Sequence, residues 1–327
     1  MPFVAWRDEK IGKLQAQKTS LTEQLVAQSA DTPSFLRHTL ADRRVNAHMA
    51  NRNHPDRGNL VARKLKAYSF AQSHCVRIPT LYGLWQTPED IAWATLPEQV
   101  VIKTNTGAAS RGVFPLRRVG TEWSMVTTSV PTTPDDVVER LRKLRAERQV
   151  GGPFFAEELL GASHDNALPA EVRVSAFYGE ISHVLLRRVA VHGDTRSVRS
   201  RRILVDGSDA ERGHESPESL PVPGNIDQLI DVARRLSLCI PRPYVRIDLY
   251  DIDGEVVFGE LTPRPGSPEL EPELDERLGR LWERAEARVL NDVIDGGDYR
   301  LRFGSGPREL RVGDDGVYVP DRGWLDA

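Results

Sequence analysis

The sequence predicts an α+β fold in which helices cover the faces of sheets. Three observations predict it: two helices with N-terminal signals, two alternating strands joined by a turn ending in glycine, and a change at Val100 from helical texture to short buried strands.

Taken in order, the first hundred residues read as helical and basic. Ile11, Leu14, Leu21 and Leu25 recur at helical spacing, and Val61, Leu65, Tyr68 and Cys75 repeat the pattern. Pro79 and Leu81-Tyr82-Gly83 interrupt it before a short strand-like segment around Trp85. Val100-Val101-Ile102 is a buried-strand run ending in Lys103; a loop of small residues, 104–112, follows, and Val113-Phe114 resumes a strand. A helix is predicted over 134–146, with Thr133 as N-cap, Pro134 in the first turn, Asp135 and Asp136 complementing the dipole, and an apolar stripe of Val138, Leu141 and Leu144. Residues 154–160 read as a strand running into a turn at Gly161.

Residues 172–178 and 181–191 read as a hairpin across Gly179-Glu180. The segment 187–202 reads as a loop dense in arginine: Arg187, Arg188, Arg196, Arg199, Arg201 and Arg202. A second capped helix begins near Asn225, with Ile226, Leu229, Ile230, Ala233 and Leu236 on one face. Strands follow at 244–250 and 255–261, then a closing helix with Leu274, Leu278, Leu281, Trp282, Ala285 and Val289 that stops at Gly296-Gly297.

Composition narrows the function classes. With 39% hydrophobic and 28% charged residues, the chain suits a globular protein. No apolar run approaches the roughly 20 residues needed to span a bilayer, and MPFVAWRDEK lacks a signal-peptide core, so no membrane partner is expected. Two cysteines, Cys75 and Cys239, make no disulfide framework, which points to a cytoplasmic location, and Cys239 reads as core. A net charge of -3 removes the global electrostatic case for nucleic acid. Only 7 of the 44 basic residues are lysines, so an isolated lysine in a conspicuous place merits attention.

The strongest chemical signal is the pair of strands YVRIDLY-DIDG-EVVFGEL. Alternation sets Val245, Ile247 and Leu249 on one face and Arg246 and Asp248 on the other. A three-residue loop, Ile252-Asp253-Gly254, would pair 248 with 258 and 246 with 260, bringing Glu260 diagonally beside Asp248 to share a hard cation. A two-residue loop would turn Glu260 away. The turn after it, Thr262-Pro263-Arg264-Pro265-Gly266-Ser267, can aim backbone donors at a reacting centre. Lys103, at a strand end before a glycine-bearing loop, suits phosphate contact, and Lys64 is a second candidate of that kind.

These motifs, in this order, resemble the ATP-grasp ligases. They are strand-Lys103-small loop, Phe155-Ala156-Glu157-Glu158-Leu159-Leu160, Glu171-Val172-Arg173-Val174, Arg246-Ile247-Asp248 and Gly259-Glu260-Leu261-Thr262. The phrasing is most similar to the teichuronopeptide-biosynthesis branch, and the last two motifs resemble D-alanine–D-alanine ligase. The resemblance spans roughly residues 60–295. It implies two α+β sub-domains gripping ATP. Residues 1–95 would form an N-terminal helical or α-β domain, 96–162 the small sub-domain with a phosphate lid, 163–297 the large one with the metal site, and 298–327 an extension.

Carried over by residue, the resemblance implies that Lys103 meets the phosphates and purine edge, while Gly107, Ser110 and Gly112 belong to a mobile lid. Glu157 would face the adenine amino group, Glu158 and Leu160 would border the ring, Glu171 would take the ribose, and Arg173 the phosphates. Arg199 or Arg201 would complete the phosphate cage. Asp248, Glu260 and Thr262 would hold Mg2+, although Thr262 stands where many members carry Asn. Arg246 and the Gly266 amide, with Ser267 beside it, would stabilise charge on an acyl phosphate or tetrahedral intermediate. Ala108-Ala109 replace the usual glycine and serine. The implied activity is ATP- and Mg-dependent ligation of a small-molecule carboxylate to an amine, acting on an amino acid, peptide or acidic glycan. A kinase on the same scaffold, or an ATP-binding protein without turnover, stands as the alternative. A homodimer is one option for the oligomeric state. No zinc-ligand spacing or serine-hydrolase elbow appears, and His183 reads as a packed strand residue.

Overall fold

The computed structural model describes residues 32–50, 63–107, 110–161, 168–191, 194, 197–210, 220–264, 270–296, 299–314 and 316–320. Ile11, Leu14, Leu21, Leu25 and Val61, with their expected helical spacing, lie outside the described residues, as do Ala108-Ala109, Arg196, Gly266 and Ser267. The described helices are α1 (Phe35–Ala50), α2 (Lys64–Ser73), α3 (Pro134–Ala146), α4 (Ile226–Leu238) and α5 (Pro272–Ile294). The strands are β1 (Leu81–Trp85), β2 (Gln99–Thr106), β3 (Val113–Val119), β4 (Glu122–Met125), β5 (Gly151–Glu158), β6 (Glu171–Phe177), β7 (Glu180–Val189), β8 (Val198–Ile203), β9 (Val245–Ile252), β10 (Glu255–Thr262), β11 (Leu310–Val312) and β12 (Gly316–Tyr318). The fold is α+β, as the sequence predicts.

Two sheets organise these elements. One runs β12-β11-β1-β5-β2-β3-β4, the other β10-β9-β6-β7-β8. Pairing is antiparallel except between β1 and β11. Helix α3 covers the first sheet, where Val137 and Leu141 meet Val100, Ile102, Phe114, Leu116 and Phe154. Its start follows from the sequence: the Asp136 amide donates to Thr133 Oγ1 at 3.2 Å, and Asp136 Oδ2 accepts from the Thr133 amide at 2.8 Å. The buried stripe is Val137 and Leu141; Val138 and Leu144 are only half-buried, one helical position off the expected face.

The second sheet is covered on one face by α4, through Leu229, Ile230, Ala233 and Leu236 against Val172, Val174, Ile247 and Leu249, with α2 packing beside β10. On the other face, α1 and α5 enclose Phe35, Phe177, Tyr244 and Trp282 at one end of the strands. Phe35 meets each of those three rings edge-on, at 5.0–5.9 Å between centroids. The rest of that face is left open as a cavity. None of the described helices is long and apolar enough to cross a membrane.

Three local expectations change. The β6–β7 turn is Tyr178-Gly179, both with positive φ, so Phe177 pairs with Glu180. The arginine-rich stretch forms the paired strands β7 and β8 rather than a loop, and its guanidiniums alternate between faces. Cys75 lies beyond α2, exposed and at φ 60, so it does not continue the apolar stripe. Cys239 is half-buried and packs against the core at the end of α4. Asn225 precedes α4 without a side-chain cap; its Nδ2 donates instead to the Gly254 carbonyl at 3.0 Å.

Candidate active site

The β9–β10 hairpin sets the site. Asp253 (φ 54) and Gly254 (φ 85) form a two-residue turn, so Ile252 pairs with Glu255 instead of standing in a three-residue loop. That register alone would turn Glu260 away from Asp248. A bulge between Phe258 and Glu260 restores it and sets Glu260 directly opposite Asp248, with Thr262 opposite Arg246. The expected pairs, 248 with 258 and 246 with 260, are therefore replaced. The convergence is closer than a diagonal one, since opposed side chains start about 4.5–5.5 Å apart. Gly259 makes the bulge possible: a Cβ there would sit 2.8 Å from the Tyr250 ring and 3.0 Å from the Asp248 carbonyl. The same shift puts Phe258 and Leu261 in the core in place of the expected Val257-Gly259-Leu261 set, although Val257 is also buried.

The open face above this hairpin is a cavity of about 780 Å3 between the two sheets. Of the residues singled out in the sequence, Lys103, Gly107, Ser110, Glu157, Glu158, Leu160, Glu171, Arg173, Arg246, Asp248, Glu260 and Thr262 line it. Lys64 lines it too, with Arg43, Arg187, Tyr250 and Arg264. Two expected residues do not. Gly112 is buried against Thr104, and its carbonyl accepts from the Thr104 amide at 3.1 Å. Arg201 alternates to the opposite face of β8, where it makes two bonds to Asp209, at 2.7 and 3.1 Å, and one to the Leu220 carbonyl. Arg199 shares that face with Arg201.

One end of the cavity is apolar, formed by Val101, Val113, Pro115, Leu159, Leu160 and Leu168. Glu158 borders it, but its carboxylate accepts from Arg77 at 2.8 Å and from the Thr80 amide at 3.1 Å. The other part is ionic. Asp248, 4% exposed, takes both forks of Arg246, at 2.6 and 2.7 Å. Arg246 also donates to Thr262 Oγ1 at 2.9 Å. Burial works against the Arg246 charge, but Asp248 outweighs it and the guanidinium is held more firmly protonated than usual. Glu171 accepts from Arg173 at 2.7 Å and from Arg187 at 3.1 Å.

Glu260 is different. Its carboxylate makes no hydrogen bond or ion pair among the described residues, although its backbone belongs to the β9–β10 ladder. Burial pushes its carboxyl up; Lys64 opposes this, and the Asp248 charge adds to it. Among the described residues no three His, Cys, Asp or Glu side chains cluster as a metal site. Two opposed carboxylates and the Thr262 hydroxyl nevertheless make a hard-oxygen set that suits magnesium, and an unpartnered, largely buried carboxylate fits a cation.

Across the cavity, Lys103 pairs with Glu157, itself 2% exposed. Tyr68 Oη on α2 donates to Glu157 Oε2 at 2.7 Å and lies 3.4 Å from Lys103 Nζ. Burial and Glu157 push the Tyr68 phenol well up, so it remains a donor. Lys64, 8% exposed, has its ammonium lowered by burial, against the pull of Glu260; Nζ lies 3.5 Å from the Gly107 carbonyl. Sequence reasoning took Tyr68 as plain core. The available signal was that a buried tyrosine hydroxyl needs a partner.

The family model described as TupA-like ATPgrasp matches residues 214–283, which span α4, the β9–β10 hairpin and the start of α5. No curated protein matches. Among solved structures, D-alanine–D-alanine ligase from Bacillus anthracis is similar at 17% identity, over 73% of this chain and 70% of that one, with a TM-score of 0.45. The biotin carboxylase domain of 2-oxoglutarate carboxylase from Hydrogenobacter thermophilus is similar at 13%, over 80% and 52%, with a TM-score of 0.47. A RiPP-associated ATP-grasp ligase from Chryseobacterium gregarium is similar at 13%, over 74% and 62%, with a TM-score of 0.37. Overlaps this loose carry no functional argument; the family match falls on the hairpin that holds Arg246, Asp248 and Glu260. That match makes the segment from just before α4 to the first half of α5 similar to the TupA-like ATP-grasp family.

Proposed function

We propose that this protein is an ATP- and Mg-dependent ligase that joins a carboxylate to an amine through an acyl phosphate. The observation that carries the reading is Glu260 set directly opposite Asp248 in the same cavity as Lys103 and Lys64. Residues 96–162 and 163–297 act as the two halves that grip the nucleotide. The apolar end takes the purine, with Glu171 toward the ribose. Lys103, Lys64 and Arg173 face the phosphates, Tyr68 and Glu157 hold the Lys103 ammonium, and the segment from Gly107 to Ser110 closes over the tail. Asp248, Glu260 and Thr262 would hold magnesium, which when bound offsets charge on the nucleotide.

Amide formation in water is uphill, so the acid is activated first. Its carboxylate attacks the terminal phosphorus of ATP and ADP departs, and Arg246 then faces the acyl oxygen. The amine attacks the acyl carbon and phosphate leaves. Gly266 and Ser267 supply donors to the developing oxyanion. Exclusion of water keeps the acyl phosphate from hydrolysis.

The test is ADP release over carboxylates and amines supplied singly and in pairs, with product masses read. A ligase releases ADP in quantity only when both partners are present and yields their dehydrated adduct. Steady ADP release with one hydroxyl acceptor, and a phosphorylated product, would replace this reading with a kinase.

A further inference from the structure

Helix α2 sets Lys64 and, one turn on, Tyr68 on one face, and it packs beside β2 and β10. Its start is fixed to β2, where the Leu65 amide donates to Asn105 Oδ1 at 3.1 Å, and Tyr68 is held by Glu157. Lys64 is therefore presented to the cavity by a packed helix, and it is 8% exposed there.

Five carboxylates line the cavity, and four of them have a bonded cation. Asp248 takes both forks of Arg246, with Arg173 Nε at 3.7 Å. Glu157 takes Lys103, Glu158 takes Arg77, and Glu171 takes Arg173 and Arg187. The fifth, Glu260, has no bonded cation among the described residues. Lys64 Nζ has the Gly107 carbonyl at 3.5 Å and, among the described residues, no carboxylate within ion-pair distance. Each is nevertheless the other's strongest charged neighbour. Lys64 acts on Glu260 more than Asp248, Arg246 or Lys103 does, and Glu260 acts on Lys64 more than Lys103 or Glu157 does.

We propose that Lys64 is the resident counter-charge of Glu260, and that it makes the acidic pair prefer a divalent cation arriving with a nucleotide over one arriving alone. The inference rests on the metal-site reading above and adds a regulation of it. A cation settling by itself between Asp248 and Glu260 meets the Lys64 ammonium in a cavity where charges are poorly screened. Phosphates that come with the cation relieve that opposition, because they offer Lys64 charged oxygens of their own. Cation and nucleotide then favour each other's binding, by the same factor in either order.

Calorimetry at pH 8 tests this without turnover, with manganese as a hard-oxygen probe. Manganese is titrated alone, and with ADP after correction for the complex formed in solution. The proteins are the wild type, Lys64→Met, Lys64→Gln, Lys64→Arg and the doubly substituted Lys64→Met, Glu260→Gln, each checked by circular dichroism. Lys64→Met and Lys64→Gln are expected to bind manganese alone about tenfold tighter than the wild type, and Lys64→Arg to stay near it. The double substitution should abolish that gain, which assigns it to Glu260. Manganese bound alone no tighter by either neutral variant overturns the proposal, as does a gain that persists without Glu260. So does a wild type that binds manganese as tightly alone as with ADP. No manganese bound by any of the proteins, even with ADP, would remove the metal site and this proposal together. Proteins that behave as expected yet release no ADP with any acid and amine would count against the ligase reading alone.

Discussion

Asp248 and Glu260 share a face and face each other, yet among the described residues Asp248 is hydrogen-bonded by Arg246 while the Glu260 carboxylate has no such bond. Under the metal-site reading, Asp248→Asn and Glu260→Gln each reduce Mg-dependent ADP release by more than about 100-fold, with the circular dichroism spectrum unchanged. Wild-type rates in both variants would refute the assignment. His183 gives an independent prediction. Burial, with Arg202 and Arg277 nearby, pulls its imidazole down to about 3. Its ring lies 2.7 Å from Ser182 Oγ and 3.3 Å from Ser175 Oγ. The unfolded chain then binds a proton between about pH 6.5 and 3 that the folded chain does not. Stability from this site is present above 6.5 and is lost as pH falls, by up to about 1.4 kcal/mol per pH unit. His183→Gln should flatten that part of the denaturation profile; an unchanged slope would show that His183 does not contribute.

At the scale of elements, α3 was legible because its signals are local. Thr133, Pro134 and Asp136 act within one turn, whatever the rest of the chain does. The β9–β10 pair was legible as a hairpin, and alternation placed Arg246 with Asp248 correctly on one face. Its register was not legible, because two features cancel: a turn one residue shorter than expected and a bulge one residue longer. Only the approach of Tyr250 to residue 259 shows why glycine is needed there. Gly259→Ala is accordingly expected to cost about 1–3 kcal/mol through overpacking and to lower Mg-dependent turnover by moving Glu260. Wild-type stability and rate in that variant would mean the bulge adapts freely. Arg201 failed for a related reason. A strand's alternation sends neighbouring arginines to opposite sides, and a stretch read as a loop carries no such parity.

For the molecule as a whole, α3, α4, α5 and the β9–β10 pair follow from local signals, while α1, β8, β11 and β12 do not, and the cavity depends on long-range contacts that no window of sequence contains. Tyr68 reaches Glu157 across 89 positions, and Asp42 reaches Arg242 across 200. The second contact fixes α1 to the body of the protein. Arg242 is 3% exposed, so Asp42→Ala removes a carboxylate bonded to a buried guanidinium and should cost about 3 kcal/mol in denaturant unfolding. A loss below a few tenths would mean that α1 is not anchored there. The central claim is that the opposed acids hold a divalent cation which grips the nucleotide. Its most direct measurement is the affinity for ATP, by calorimetry, with and without magnesium, in the wild type and in the doubly substituted Asp248→Asn, Glu260→Gln protein. Magnesium should tighten binding to the wild type by about tenfold or more, with that gain absent from the variant and metal-free binding retained. The same gain from magnesium in both proteins would contradict the account.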